Sequence, residues 1–313
     1  MKLGVVMDPI ESINFKKDST LAMMLEAQSK NHHIFYITTN SLFIESGIAY
    51  ATTSKIQLRD DPADWFTLEE EKVMRLAELD SILMRQDPPF NSDYIYNTYV
   101  LEMAQREGVN VFNNPRSLRD CNEKVFATEF PQCCTKHLVT SKKNLLTDFV
   151  IEHKDTVIKP LDGMGGASIF RLKSHDPNLN VILETITDHF AEKVMIQEYI
   201  PEISEGDKRI LVINGEPMGA AIARIPAEGE LRGNLAAGAS AVARSLTDRD
   251  MWICNEVAPS LVEKGLLLVG LDIIGDYLTE INVTSPTCFK EYKELCDIDV
   301  AKIFIESVEE FSK

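Results

Sequence analysis

The stretch Leu271–Thr287, LDIIGDYLTEINVTSPT, constrains the fold more than any other part of this chain. Gly275-Asp276 is a tight-turn signal flanked by alternating apolar residues, so the segment predicts two short strands joined as a hairpin. Strand side chains alternate between faces, which puts Glu280 and Asn282 on one face. Counting back across the turn places Asp272 nearly opposite Glu280. Two carboxylates and an amide on one face repel each other unless a cation sits between them. A set of oxygen donors without Cys or His suits a hard ion such as Mg²⁺, with Mn²⁺ as the alternative. Mg²⁺ commonly completes its shell with water and substrate phosphates, so the segment points to nucleotide chemistry. The same spacing also fits an exposed hairpin carrying ordinary surface acids.

The chain has 313 residues, enough for two or three domains with their own cores. Its 44% hydrophobic content is that of a globular protein. A formal charge of −17 argues against a nucleic-acid partner, which needs a basic footprint, but not against ATP. The six cysteines form no C-x-x-C, and Cys133-Cys134 are adjacent; this fits free thiols in a reducing cytoplasm. No H-E-x-x-H occurs, so a zinc site is not expected. Leu3–Met7 is apolar, but Asp8-Pro9 ends the run short of a secretion signal, and no stretch reaches membrane-spanning length.

In the N-terminal part, strands are expected at Leu3–Met7, Ile34–Ile37, Ser81–Met84 and Val109–Phe112. Helices are expected after an Asp18 or Ser19 cap and over Asp93–Arg106. This alternation predicts an α/β domain with a parallel sheet, ending near Arg119–Asn122. The texture then changes. Thr156–Lys159 and Ser168–Leu172 flank a glycine-rich turn, and Asn214-Gly215 joins Arg209–Ile213 to Met218–Arg224 as a hairpin. Helices fit Asn178–Asp188, Thr247–Lys264 and Val300–Phe311. The body after residue 121 is therefore expected to be antiparallel α+β. Pro226–Ser245 is rich in small residues and has no period, which predicts a long loop, a lid or an insert.

Several motifs carry chemistry. Lys159-Pro160-Leu161-Asp162-Gly163-Met164-Gly165-Gly166-Ala167-Ser168 combines a lysine with three glycines in four positions. Glycines let backbone N–H groups approach phosphate oxygens. It is neither a Walker A loop nor a dinucleotide fingerprint, because Gly-Lys-Ser/Thr and the third spaced Gly are missing. Lys124 falls in RDCNEKVF on an expected helix, where alone it reads as a surface lysine. Gln197-Glu198-Tyr199-Ile200 closes a strand whose backbone could pair with a purine. Arg209, Arg224 and Arg232 offer planar forks for carboxylate or phosphate, or ordinary salt bridges. Arg85, at a strand end in LMRQDPPF, could reach a substrate carboxylate.

In this order the residues resemble the ATP-grasp ligases, and more closely the bacterial glutathione synthetases. The matching runs are VMDPI (6–10), KKDST (16–20), LMRQDPPF (83–90), SLRDCNEK (117–124), KPLDGMGGASIF (159–170), GDKRILV (206–212), ARIP (223–226), RGNLAAG (232–238) and VGLDIIGDYLTEINVTSPT (269–287). The resemblance implies ATP-dependent joining of γ-glutamylcysteine to glycine through an acyl phosphate, giving glutathione, ADP and phosphate. It implies an N-terminal α/β domain followed by a two-part ATP-grasp fold: residues 1–121 on the substrate side, 122–200 with the glycine-rich loop, and 201–313 with the lid and metal site. It implies a cytoplasmic homotetramer, or another homo-oligomer, acting on small molecules, with no nucleic-acid or membrane partner. By the same resemblance, Lys124, Lys159, Gly163, Gly165, Gly166, Gln197, Glu198, Tyr199, Ile200 and Asp207 match ATP-binding positions. Asp272, Glu280 and Asn282 match the metal ligands. Arg209, Arg224 and Asn234 match positions around the transferred phosphoryl group, and Arg85, Arg232, Ser285 and Thr287 substrate-binding ones.

There is one departure. After RGNLAAG the family continues with Gly-Arg-Gly-Glu, whereas this chain has Ala239-Ser240-Ala241-Val242. That removes a basic residue and two glycines from the expected lid over Pro226–Ala241, whose task is to keep water from a labile acyl phosphate. The shared ATP motifs are also compatible with another ATP-grasp ligase, or with a binding protein that retains the fold without turnover.

Overall fold

A computed structural model describes residues 1–163, 166–227, 229–230, 233 and 238–312. Three sheets follow one another along the chain. The first contains β1 (Lys2–Met7), β2 (His33–Thr38), β3 (Leu42–Glu45), β4 (Ile48–Leu58), β5 (Phe66–Leu68), β6 (Lys72–Arg75), β7 (Ser81–Met84) and β8 (Asn110–Phe112). The second contains β9 (His137–Thr140), β10 (Asp155–Pro160), β11 (Phe170–Lys173) and β12 (Val194–Glu198). The third contains β13 (Asp207–Ile213), β14 (Glu216–Pro217), β15 (Ala220–Ile225), β16 (Ser240–Ser245), β17 (Leu268–Ile274) and β18 (Tyr277–Asn282). The helices are α1 (Ser19–Ser29), α2 (Ser92–Arg106), α3 (Pro115–Asp120), α4 (Lys143–His153), α5 (Leu179–Ile186), α6 (Asp248–Glu263), α7 (Phe289–Cys296) and α8 (Val300–Phe311).

The expected parallel sheet is present as β2-β1-β7-β8, all parallel pairs. It continues beyond β2 into antiparallel β4, which also carries β3, β5 and β6. Strands β3 to β6, within residues 42–75, are not singled out in the sequence. IAYATTSKIQL of β4 alternates in burial on either side of Thr53-Ser54, which are both buried, but its small Ala, Thr and Ser residues give little contrast in the sequence. The second and third sheets are antiparallel throughout.

Helix ends follow their local chemistry. Asp18 caps α1 by accepting the Leu21 N–H at 2.6 Å, and Asn91 caps α2 through Tyr94 at 3.0 Å. Thr247 and Asp250 form a reciprocal capping box on α6. Two expectations change. Lys124 is not on a helix: α3 stops at Asp120, because the Asn122 carboxamide oxygen accepts the N–H groups of Lys124 (3.1 Å) and Val125 (3.0 Å) and folds the chain into a turn. The stretch expected as loop to Ser245 ends in strand β16, paired with β15 from Ser240↔Ile225 to Ser245↔Ala220. Three of the four departing residues, Ser240 to Val242, therefore lie in a sheet rather than in a lid.

The C-terminal helix α8 lies against α1 and α7. Its Phe304 and Ile305 share one core with Leu3 and Val5 of β1 and Met23 of α1, and with Leu211 and Ile222 of the third sheet. A separate small core of Leu146, Val150, Ile158, Leu183 and Ile196 holds α4 and α5 on the second sheet.

Candidate functional site

The second and third sheets, Asp87-Pro88 beyond β7 and the turn before α7 enclose a cavity of about 340 Å³. Register places its charges. Arg209, Asp272 and Glu280 are direct neighbours across β13, β17 and β18, and Asp207 faces Arg224 across β13 and β15. Asp207 and Arg209, two apart on one strand, project to the same face. Arg209 holds Asp272 with two hydrogen bonds (Nε–Oδ1 2.5 Å, Nη2–Oδ2 2.9 Å). Arg224 reaches Asp272 Oδ2 at 2.9 Å and Asp207 Oδ2 at 2.5 Å. Gly270 makes this possible, because a Cβ there would lie 2.9 Å from Arg209 Cδ.

Two lysines face Glu280. Lys159 Nζ lies 3.4 Å and Lys124 Nζ 3.7 Å from its Oε1. Lys124 also pairs with Glu123 and donates to the Gly163 carbonyl at 2.9 Å. Asn122 Nδ2 holds the Leu161 carbonyl at 2.9 Å, so one short turn anchors both Lys124 and the start of the glycine-rich loop. The Ile281 N–H donates to the Glu123 carbonyl at 2.8 Å and docks that turn on the edge of β18.

These neighbours set the ionisation. Burial alone would raise the Asp272 carboxyl, but Arg209 and Arg224 hold it well below the usual carboxylate range. Burial likewise opposes ionisation of Glu280, and Lys124 and Lys159 outweigh it. Glu123 is pushed up by burial and by the negative charge of Glu280. Asp207 is raised to about 6 by burial, which Arg224 offsets only in part. Its Oδ1 is buried without a hydrogen-bond partner among the described residues.

The sequence-derived residues divide as follows. Lys124, Lys159, Arg209 and Arg224 supply cations to the cavity wall, and Asp207, Asp272 and Glu280 supply acids. Gly163 and Gly166 line it from the glycine-rich loop, and Gln197, Tyr199 and Ile200 from the end of β12. Asn282, Ser285 and Thr287 line it from β18 and the turn beyond. Arg85 does not line the cavity: it is buried behind the wall, with Nε on Thr20 Oγ1 at 3.1 Å and Nη2 on the Pro286 carbonyl at 3.0 Å. The Glu198 carboxylate is also directed elsewhere, accepting the Lys136 N–H at 3.2 Å and pairing with His153 Nδ1 at 2.9 Å. Gly165, Arg232 and Asn234 lie outside the described residues.

Sequence reasoning missed three charged side chains of the wall. Glu123 had only its adjacency to Lys124 as a signal. Arg171 lies over the Tyr199 ring, its guanidinium carbon 3.5 Å from the ring centre, with both Asp155 oxygens as hydrogen-bond acceptors. That stack depends on the pairing of β10 with β11 and β12 and has no local signature. Asp87 ends the run after β7 and is hydrogen-bonded by the Ser285 hydroxyl at 2.6 Å.

The acids of the hairpin do not need a metal in order to sit together. Arginines and lysines already compensate Asp272 and Glu280, so repulsion alone does not require an ion between them. The donor set still fits one. Gly270 and Asn282 are partners two residues along from Asp272 and Glu280, and Asn282 Nδ2 donates to the Gly270 carbonyl at 3.2 Å, which leaves its Oδ1 available. Each carboxylate oxygen has more than one lone pair. No group of three or more His, Cys, Asp or Glu converges among the described residues, so an ion here would take further oxygens from water or phosphate, as Mg²⁺ does.

Comparison with known proteins gives the family. Residues 1–119 match the family described as prokaryotic glutathione synthetase, N-terminal domain, and residues 123–297 match prokaryotic glutathione synthetase, ATP-grasp domain. Glutathione synthetases of Vibrio vulnificus and Coxiella burnetii are 54% and 50% identical over 309 residues, covering 99% of this chain and 98% and 96% of theirs. Among solved structures, a D-cycloserine synthetase superposes with a TM-score of 0.71 at 12% identity, covering 100% of both chains. The ATP-grasp ligase PsnB superposes with a TM-score of 0.64 at 16% identity, covering 99% of each. At such identities these two speak for the fold alone. The match to both family domains, together with relatives half identical over nearly the full length, shows that this chain belongs to the prokaryotic glutathione synthetase family and has the ATP-grasp fold.

Proposed function

We propose that this protein joins γ-glutamylcysteine to glycine, with conversion of ATP to ADP and phosphate. The observation that carries the reading is the full-length family match, read together with a cavity whose cations stand on facing sheets. A carboxylate resists attack by an amine, so the donor is first phosphorylated to an acyl phosphate. The phosphoryl group is stabilised mainly by positioning and charge.

In this reading Lys124 and Lys159 approach the nucleotide phosphates, with the glycine-rich loop around Gly163 and Gly166 covering them. Gln197, Tyr199 and Ile200 flank the base, and Asp207 faces the ribose. Glu198 contributes only what its backbone can offer. Asp272, Glu280 and Asn282 would hold a divalent cation, preferentially Mg²⁺ over Mn²⁺, whose chemistry is to polarise phosphate oxygens. Arg209 and Arg224 orient and neutralise the transferred group, and Asn234 is assigned beside them on the resemblance alone. Ser285 and Thr287 face the peptide substrates, Arg232 joins them by resemblance, and Arg85 acts by fixing the Pro286 carbonyl between them. The chain-order division at about residues 121 and 200, a cytoplasmic location and a homotetramer belong to the same proposal. No helix among the described residues is long and apolar enough to cross a membrane. Sedimentation of the purified chain tests the tetramer, and a monomer at micromolar concentration would sink it.

The expected result is ADP release that requires both γ-glutamylcysteine and glycine and yields glutathione. Equal ADP release with D-alanine alone, or with glutamate and a peptide, would overturn the substrate assignment.

A further inference from the structure

Each acid of the cavity wall except one faces a cation. Asp272 is held by Arg209 and Arg224, Asp207 by Arg224, Glu280 lies between Lys124 and Lys159, and Glu123 pairs with Lys124. Arg171 is taken by Asp155. Asp87 is the exception: it lines the cavity, and among the described residues no Lys, Arg or His lies within ion-pair distance of it. The nearest buried guanidinium in sequence, Arg85, is committed by its hydrogen bonds to Thr20 and the Pro286 carbonyl, and it attracts Asp87 only at longer range, without an ion pair.

Asp87 is nevertheless held in place. Its backbone N–H donates to Asp8 Oδ2 at 2.9 Å, and its Oδ1 accepts the Ser285 hydroxyl at 2.6 Å. The carboxylate is therefore fixed at both ends, with one oxygen left to accept from a ligand. A fixed, exposed carboxylate in a substrate cavity is complementary to a cation that the substrate brings. In the reaction proposed above, ATP and the carboxylates of both amino-acid substrates are anionic. Apart from the divalent cation assigned to Asp272, Glu280 and Asn282, the only cationic groups are the α-ammonium of the γ-glutamyl donor and the amine of glycine. Glycine must attack as the free amine, and a carboxylate paired with it would favour the unreactive ammonium. The donor's α-ammonium keeps its proton throughout the reaction.

We propose that Asp87, fixed by Ser285, binds the α-ammonium group of the γ-glutamyl donor and so sets the enzyme's preference for a γ-glutamyl over a simple acyl substrate. The inference rests on the proposed reaction. It predicts that the wild-type enzyme prefers γ-glutamylcysteine to glutarylcysteine, the same molecule with the α-amino group replaced by hydrogen, by about 10–100-fold in kcat/KM, the usual effect of one charge-assisted hydrogen bond. Asp87→Asn should lose this preference to within about threefold, by losing activity on γ-glutamylcysteine rather than gaining it on the analogue. KM for ATP and for glycine should not move, which also reports an intact fold, and Asp87→Glu should recover part of the preference. If Asp87→Asn is insoluble, Asp87→Ser removes the same charge and is read in the same way. A preference that survives loss of the charge, or a defect that falls on the KM of glycine, overturns the inference. A wild-type enzyme that forms no glutathione from γ-glutamylcysteine overturns the reaction itself, before any variant is compared, and the inference with it.

Discussion

Single residues decide whether the charges of this site can meet. Gly270 leaves the space through which Arg209 reaches Asp272, and the turn at Asn122 brings Lys124 within 3.7 Å of Glu280. Glu280 is the residue on which most depends. It faces Asp272 across the hairpin and two lysines across the cavity. Glu280→Gln keeps the shape and removes one charge. Turnover should fall on the order of 10²–10³-fold, as when a preorganised electrostatic contact is lost, with a higher Mg²⁺ requirement. Repulsion among acids would predict an unchanged or improved fold. Because the lysines lose their counter-charge, the variant should instead be less stable, by about 1 kcal/mol. Steady-state turnover across a Mg²⁺ titration, with thermal melting alongside, tests both parts. Near-native turnover at low Mg²⁺ would remove Glu280 from the metal site. Asp272, Glu280 and Asn282 were legible in the sequence because one turn holds them together. Asp87, Glu123 and Arg171 were not, because what fixes each beside the cavity comes from another segment: the Ser285 hydroxyl for Asp87, the Ile281 N–H on the Glu123 carbonyl, and the Tyr199 ring for Arg171.

At the scale of elements, α2 and α3 are tied by one acid. Glu102 of α2 accepts from Arg106 on its own helix and from Arg116 and Arg119 of α3, and Arg119 also lies over the Tyr99 ring. Chiefly through the Arg119 hydrogen bond, its carboxyl is lowered to about 2 from the ordinary value of 4.5. A depressed carboxyl contributes stability above its unfolded pKa and loses it as pH falls towards the folded one. Glu102→Gln should therefore cost about 1–2 kcal/mol at pH 7, after allowance for the solvent-exposed Arg106 and Arg116. The gap to wild type should narrow below about pH 4.5 and close towards pH 2. Denaturant titrations of both proteins at pH 7 and pH 3.5 measure it, and a gap independent of pH would contradict the assignment. Elements with strong caps or period were readable: the helix expected over Val300–Phe311 has those bounds, and Asp18 caps α1. β4 and β16 were not, because short runs of Ala, Ser and Thr become strands only when a neighbour supplies the hydrogen bonds.

Over the whole molecule, the last helix completes a core that the first strand begins. Phe304 is 2% exposed and meets the Phe289 ring edge-on at 6.4 Å, within the cluster that holds β1 and α1. Phe304→Ala should cost about 3–5 kcal/mol, since the cavity it leaves is enclosed from several sides. The loss should appear as faster amide exchange in β1 and α1 as well as in α8. Faster exchange confined to α8 would show that the C-terminal helix is not part of the common core.

The sequence by itself determined the family, the turn that pairs Asp272 with Glu280, the glycine-rich loop after Lys159 and most helix boundaries. Each of these is written in residues close together in the chain, whose spacing fixes local geometry. Only the tertiary structure decided which charges compensate one another. It put Lys124 and Lys159 on Glu280, took Arg85 out of the cavity and into the wall behind it, turned the Glu198 carboxylate away and left Asp87 without an ion-pair partner among the described residues. Such pairings depend on strand register and on the docking of one sheet beside another, which bring together residues as distant as Asp87 and Ser285. Spacing along the chain carries no record of those contacts.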